Sequence, residues 1–599
     1  METIKLSKEQ QEFLGFAQQG HNILVDACIG SGKTTAIQSL CNVLGGKRIL
    51  YLTYNKLLKL DAKDKIKNKN VTVTNYHGFA FSELIKIGMR VAPSEQIQKF
   101  LQNKDKLRPI CYDVLIIDEY QDIEQEIADM LDFIKMQNTD IQIIAVGDME
   151  QKIYDKTTLD VQKFMQNLLG DYKKLHFTQC FRLSEDLAKR LGDIWHKKIV
   201  GVNNNCRVET MDEYAIVDFL ALQKCSDILC LGARVGKMTD VLNSLEAKYP
   251  DKFNKRTVYA SIMDKDCAKG YTDPKKTSAI FTTYDSSKGL ERKICVVFDW
   301  TEEYWGTRMS IPGVKYEILR NIFCVAASRG KDRIIFVKTR SKSLSDNTIA
   351  TAVETKTEYS RPFSVSEMFS FKYKEDVEEC YNMLDVKQLD NGDRSEIKVK
   401  SNDGLIDLSP CIGILQEAAF FKNYSIDDEI IWYSKVHDDK LKFSLEGEAN
   451  VEEKVLYLTA CETSQDRYFK QVNVPFVDME TLQKIKDRLS TRFTEDEVVQ
   501  KNCDGNFRIA GTNKEIGIKG RIDVYKDDIV YELKFVSELS HEHFLQCATY
   551  LALLRLDKGI LWNIRTNDMY EICVPDRTAF LKCVVKTITK GNVVSGSFV

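Results

Sequence analysis

The stretch "HNILVDACIGSGKTTAIQSL", residues 21–40, decides the fold. Its apolar run, Ile23 to Val25, predicts a buried strand. Gly30, Ser31 and Gly32 then let the backbone curl, and Lys33, Thr34 and Thr35 open a helix. Strand, glycine loop and helix in that order present backbone N–H groups to a phosphate. Lys33 is placed to reach the β- and γ-phosphates and Thr34 to hold Mg²⁺. The strict pattern asks for glycine at position 27, where this chain has Ala27.

Working outward, "YDVLIIDEYQDI" (112–123) supplies the complement. Val114 to Ile117 read as a buried parallel strand with Asp118 and Glu119 at its C-terminal end, where open α/β sheets place ligands. Asp118 would complete the Mg²⁺ site and Glu119 would orient and activate water. "IIAVGDMEQKIY" (143–154) ends a third strand with Gln151 placed to sense the γ-phosphate. "LHFTQCFRLS" supplies Arg182, and two later strand-like stretches supply Lys288, Glu291 and Arg329. Singly, each cation suits a solvated surface. Together they describe two α/β units in series, the second without a phosphate loop but with arginines to close on a transferred phosphate.

The bulk composition sets limits. At roughly 100–200 residues per domain, a chain of 599 residues holds three or four domains. The net charge of −3 confines any nucleic-acid contact to local basic patches. Seventeen scattered cysteines without a C-x-x-C pair argue against a disulfide framework or a zinc site and for a reducing, intracellular compartment. No apolar signal core and no membrane-length apolar run is present, so a soluble protein away from the membrane is expected.

Nine stretches in order, "LSKEQ", "ACIGSGKTT", "LTYN", "TNYHGFA", "DEYQD", "VGDMEQKIY", "FTQCFR", "TTYDSSKGLE" and "CVAASRGK", resemble the UvrD/Rep/PcrA family of superfamily 1 helicases over about the first 340 residues. The resemblance implies two RecA-like domains with ATP between them, single-stranded DNA across the top, and 3′→5′ translocation. It implies Gln10 at the adenine edge, Phe181 stacked on the ring, and Glu291 near the ribose. Gln151, Arg182 and Arg329 would meet the γ-phosphate, with Arg329 as the arginine finger. Thr53, Asn55, Tyr76, His77 and Tyr154 fall where the family touches DNA. Aromatic stacking with backbone contacts suits tracking without sequence preference. The chain departs from the family at Lys156, Asp285 and Cys324 and lacks the usual R-G-A-D. Its slim insertions point to a protein partner, or its own C-terminal part, for processive unwinding.

The second informative stretch is "GRIDVYKDDIVYELKF", residues 520–535. Strand alternation puts Glu532 and Lys534 on one face, with Asp523 on the adjoining strand able to meet them. Two carboxylates and a lysine can hold Mg²⁺ and activate water. The same residues also suit an amphipathic hairpin with its polar side in solvent. "SHEHFLQCATYLALL" follows as a helix with Gln546 and Tyr550 on one face, then "GILWNIRTNDMYEI" as two more strands. The order G-x-x-D, E-x-K, Q-x-x-x-Y resembles the PD-(D/E)XK nucleases of the RecB type over about residues 505–575. It implies Asp523, Glu532 and Lys534 as catalytic, the two carboxylates as metal ligands, and Gln546 and Tyr550 in support. A further upstream ligand, often histidine in that family, has no clear match; Glu417 could stand in. Cys411, Cys547, Cys573 and Cys583 lack the close spacing of an iron–sulfur cluster, and none is expected.

The expectation is an α/β chain: two tandem RecA-like P-loop domains (1–165 and 166–345), a helical connector (346–400), and a restriction-endonuclease-like domain (401–599). Its expected cofactors are ATP and Mg²⁺, and its substrates single-stranded and tailed duplex DNA. The expected function is an ATP-dependent 3′→5′ helicase with a metal-dependent nuclease, acting in end processing, recombination, repair or replication. The alternative is a translocase that remodels protein–DNA complexes, its nuclease fold serving as a silent clamp.

Overall fold

In a computed structural model, which describes residues 6–54, 56–91, 95–261, 275–353, 359, 361–399, 405–436 and 449–598, the apolar run at 23–25 lies in strand β1 (Asn22–Ala27). It joins β2 (Ile49–Thr53), β3 (Val71–Asn75), β4 (Val114–Asp118), β5 (Gln142–Gly147) and β6 (Tyr172–Phe177) in a parallel sheet ordered β3-β2-β4-β5-β1-β6. β2 and β4 are buried along their whole length. Such continuous apolar runs are what a parallel strand covered on both faces requires. The first sheet therefore extends past the expected boundary at 165, because β6 pairs with β1 from Asn22↔Tyr172 to Ala27↔Phe177.

A two-stranded ribbon, β7 (Gln179–Cys180) and β8 (Val200–Gly201), leads to a second six-stranded parallel sheet. Its strands are β9 (Arg207–Asp212), β10 (Ile228–Gly232), β11 (Val258–Ser261), β12 (Ala279–Thr283), β13 (Arg292–Val297) and β14 (Gly330–Lys338), ordered β11-β12-β10-β13-β14-β9. The span between "FRLS" and "TTYD" supplies β9, β10 and β11, and its residues 262–274 lie outside the described residues.

The connector is the main departure from expectation. Helix Lys374–Tyr381 forms where apolar spacing predicts it, but the second half of that stretch is strand β16 (Asp385–Leu389). β16 and the short β15 (Phe363–Ser364) both belong to the third sheet, with β17 (Val498–Ile509), β18 (Glu515–Lys526), β19 (Ile529–Lys534), β20 (Gly559–Asn563), β21 (Asp568–Cys573) and β22 (Gly596–Phe598). The order is β16-β21-β20-β19-β18-β17-β22, with β15 alongside β18. Val365, Met368, Val377 and Cys380 pack into the same core as Phe507, Ile518 and Leu545. Residues 363–389 are thus part of the third domain. Among the described residues no helix is long and apolar enough to cross a membrane.

Candidate functional site

The first site forms where β1 runs into helix Lys33–Val43. Gly30 (φ 67°) and Gly32 (φ 74°) adopt the left-handed backbone that turns the loop. Side chains would also collide there: a Cβ on Gly30 would lie 2.8 Å from Arg182 Cβ, and one on Gly32 3.1 Å from Gln10 Nε2. Gln10 donates to the Ser31 carbonyl at 3.1 Å, and its Nε2 and the half-exposed Phe181 ring flank the same face of Gly32. The two groups expected around an adenine therefore sit together beside the loop. Ala27 is buried at the end of β1, Ser31 is buried in the loop, and Thr34 and Thr35 occupy the first turn of the helix.

Lys33 Nζ lies 3.1 Å from Glu119 Oε1. Burial opposes the Glu119 charge, but Lys33 and Lys288 outweigh it and hold the carboxyl down to about 2. The neighbouring Asp118 is pushed up to about 7 by burial and by Glu119. Tyr51 donates to Asp118 Oδ2 at 2.8 Å, whereas Oδ1 is buried without a partner. A buried carboxyl group with an open oxygen fits a magnesium ion.

Arg329 is 4 % exposed, and its Nε and one terminal nitrogen have no partner. Burial, with Arg182 nearby, lowers its pKa to about 10. Arg182 bonds Glu291 at 2.6 Å, and Lys331 reaches the same carboxylate at 2.5 Å. Gln151 donates to Asp148 Oδ2 at 2.7 Å. Asp148 Oδ1 in turn takes Lys197 Nζ at 2.8 Å, and that ammonium also reaches Asp26 at 2.5 Å and Glu150 at 2.8 Å. Asp26, Asp148 and Glu150 gather as closely as metal ligands, yet the cation among them is Lys197. Gln121 closes the network: its Oε1 accepts from the Asp148 N–H at 3.0 Å, and its amide donates to Glu119. Lys197 has no motif signature and was not anticipated.

The second site is a cleft of about 920 Å³ in the third domain. Asp523 on β18 accepts from the Leu533 N–H of β19 at 2.7 Å, and Lys534 Nζ bonds Glu532 Oε1 at 2.7 Å. Glu532 is fully buried and its Oε2 has no partner. Burial and Asp523 push this carboxyl up to about 8. Glu417, from helix Ser409–Phe420, lines the same cleft, and burial and Asp523 raise it well above the carboxylate range. Gln500, at φ 52°, donates to Glu417 at 2.5 Å. No pattern in the sequence marked Gln500. Three desolvated carboxylates from three elements, one with an open oxygen, fit a divalent cation with oxygen ligands. They stand less tightly gathered than Asp26, Asp148 and Glu150. Gln546 and Tyr550 also line the cleft. A Cβ on Gly520 would lie 2.6 Å from the Tyr550 ring, so the glycine of G-x-x-D is what lets the tyrosine of Q-x-x-x-Y lie across β18.

Residues 10–157 match the family described as AAA domain, and residues 491–572 match the PD-(D/E)XK nuclease superfamily. The chain joins a helicase-like AAA domain to a PD-(D/E)XK nuclease-fold domain. A stretch of 157 residues is 29% identical to the ATP-dependent DNA helicase PIF1 of Saccharomyces cerevisiae (strain YJM789), covering 25% of this chain and 17% of that protein. The chain thus spans well under a quarter of that curated relative. A solved structure of two coordinating Pif1 helicases at forked dsDNA overlaps 58% of this chain and 94% of its own, at 13% identity and a TM-score of 0.32. The helicase MrfA bound to DNA overlaps 58% of this chain and 50% of its own, at 14% identity and a TM-score of 0.33.

In the AAA domain, the residues expected at DNA fare unequally. Asn55 lies outside the described residues. Thr53 and Tyr76 are buried, Tyr76 among Phe79 and Leu115, and neither presents a face to a nucleic acid. His77 is exposed, and Tyr154 stacks with Tyr54 at 6.4 Å between ring centroids. Lys156, at the position where the helicase resemblance expects an aromatic, places its ammonium 5.2 Å from the Tyr154 ring. The nuclease-fold domain touches the loop that follows through Glu375, which takes the Thr157 hydroxyl, and it reaches the helix Gln125–Gln137 through Lys374, whose Nζ pairs with Glu126 at 2.7 Å.

Proposed function

We propose that the chain is an ATP-driven 3′→5′ DNA helicase or translocase whose nuclease-fold domain cuts DNA, serving end processing, recombination, repair or replication. The observation that carries this reading is the Arg329 guanidinium, buried in the second RecA-like domain with two of its nitrogens lacking a hydrogen-bond partner, within the electrostatic reach of Glu119 in the first. A buried cation without a counter-ion is costly, and a γ-phosphate between Lys33 and Arg329 would supply one. Lys33 holds the phosphates and Gln151 reports the γ-phosphate. Glu119 orients water and takes its proton, and Arg329 meets the charge that develops on the transferred group. Asp118 and Thr34 would hold Mg²⁺, which neutralises phosphate charge when bound. The shared motif order with UvrD/Rep/PcrA supports 3′→5′ polarity and a role for Tyr154 and His77 at the strand.

In the nuclease-fold domain, Glu417, Asp523 and Glu532 would hold the divalent metal, which polarises the scissile phosphate. Lys534 is placed to orient the attacking water, with Gln546 and Tyr550 bracing the strands that carry these groups. One experiment tests the whole reading: cutting of single-stranded, tailed and blunt DNA with and without ATP, for wild type, Lys33→Ala and Asp523→Ala. Cutting should need Mg²⁺ or Mn²⁺ and vanish in Asp523→Ala, and ATP hydrolysis should vanish in Lys33→Ala. Preference for 5′-tailed substrates in unwinding would overturn the polarity.

A second reading has its own observation. Lys534 Nζ already pairs with Glu532 Oε1 at 2.7 Å. A silent DNA clamp on a remodelling translocase fits that arrangement, and wins if wild type binds DNA but cuts none with either metal.

A further inference from the structure

The nuclease-fold cleft continues past its carboxylates to a rim that their chemistry does not use. Trp432 stands on that rim and is 57 % exposed. Tryptophan is normally among the more buried side chains. Its helix, Ile426–Val436, is fastened to the cleft wall by Glu429, which takes Arg521 in a two-pronged ion pair at 2.5 and 3.1 Å. Arg521 lies two residues before Asp523. Tyr433, beside the tryptophan, donates to the Cys461 carbonyl at 2.7 Å.

Two further residues of the cleft have no structural explanation. Gly413 sits inside helix Ser409–Phe420, where a Cβ would meet nothing within 4 Å. Glycine weakens a helix relative to alanine, and no packing demands it here. Gln416 is 1 % exposed, lines the cleft, and its Oε1 has no partner. A buried acceptor left open is uncommon. Lys519, exposed on β18, adds a cation to the lining of the cleft.

We propose that these residues form a strand-binding subsite in which Trp432 stacks on an unpaired base. The sugar–phosphate passes over Gly413, between Gln416 and Lys519, toward Asp523 and Glu532. This rests on the nuclease reading and adds to it a residue that sets substrate choice. A base inside a duplex has both faces covered by its neighbours and offers none to an indole, whereas a base in a single strand is free to stack. Lys519 meets the backbone charge, and Gln416 Oε1 accepts from a donor on the nucleotide. Trp432 therefore discriminates between paired and unpaired DNA at the point of cutting.

The test compares full-length wild type, Trp432→Ala and Trp432→Phe on an oligothymidylate and on a blunt duplex of equal length, with Mg²⁺ or Mn²⁺. Trp432→Ala should lower cutting of the single strand by about tenfold or more. It should leave duplex cutting and ATP hydrolysis within twofold, and Trp432→Phe should retain most activity. Equal losses on both substrates, or none on either, would overturn the proposal. A second arm does not depend on cutting. An oligonucleotide carrying 5-iodo-deoxyuridine, irradiated with the Asp523→Ala protein, should crosslink to the peptide holding Trp432, as read by mass spectrometry. If wild type cuts nothing but the crosslink forms, the nuclease reading fails and the subsite stands. If cutting is normal and no crosslink forms at that peptide, the subsite is wrong.

Discussion

Lys590 Nζ lies 2.6 Å from Asp155 Oδ2, which ties the nuclease-fold domain to the residue directly after Tyr154. The same carboxyl takes Lys315 of the second RecA-like domain at 3.0 Å and the Tyr373 hydroxyl at 3.5 Å. With a side chain 9 % exposed, Asp155 is a junction of three domains, in the same short loop as Gln151, the residue proposed to sense the γ-phosphate.

Asp155→Ala strands two partly buried ammonium groups and should destabilise the folded protein by about 3 kcal/mol. Because the two residues share one interaction, the Asp155→Ala/Lys590→Ala pair should cost little more than Asp155→Ala alone. A double-mutant cycle on denaturation checks this, and simple additivity would refute the coupling.

Arg329→Met should lower ATP turnover by roughly a thousandfold, the scale of arginine-finger losses. It should also raise the melting temperature of the nucleotide-free protein, since it removes a buried cation with two nitrogens that lack hydrogen-bond partners. Calorimetry with and without a non-hydrolysable ATP analogue reads both effects. A lower melting temperature without nucleotide would mean that Arg329 has a counter-ion after all.

Lys197→Met leaves Asp26, Asp148 and Glu150 facing one another without a cation. Burial and Asp148 already raise Glu150 to about 7. A carboxyl raised in the fold keeps a proton that the unfolded chain releases, so its contribution to stability is present below about pH 4.5 and lost as pH climbs through about 7. Removing Lys197 deepens that loss. The variant should hydrolyse ATP about tenfold or more slowly at pH 8, with little change in KM and a smaller deficit at pH 6. A deficit independent of pH would show that Lys197 does not act through these carboxyls.

Glu417→Gln keeps the size and the Gln500 neighbour but removes the carboxyl that can ionise to hold a metal. Metal-dependent cutting should require about ten- to a hundredfold more Mg²⁺, as for loss of a ligand or its support. Unaltered metal dependence would exclude Glu417 from the site.

Gly520→Ala drives a methyl group into the Tyr550 ring and should cost about 1–3 kcal/mol. Cutting should fall while ATP hydrolysis persists, as paired assays on one preparation would show.

The phosphate-loop fold was largely legible because its residues are local in sequence: Lys33 follows Gly32, and Glu119 directly follows an apolar strand. Asp523, Glu532 and Lys534 were legible for the same reason, being joined by one hairpin. What stayed hidden was carried by distant parts of the chain. Lys197 reaches across 49 residues to Asp148, and Gln500 across 83 to Glu417. Tyr76 was misplaced because motif position tells where the backbone runs, not which way the ring turns. The connector misled because helical spacing in its first half hid an edge strand of ordinary polarity in its second.

That edge strand has a consequence for anyone who would separate the two domains. A fragment begun at residue 401 would lack β16, baring the backbone edge of β21, and would lose the helix that fills the core beside Phe507. Exposed sheet edges recruit other chains, so such a fragment should aggregate, whereas one begun before Phe363 keeps both. Inheritance faces the same rule as the bench: a recombination event that swapped this nuclease-fold domain at residue 401 would leave part of it behind on the motor.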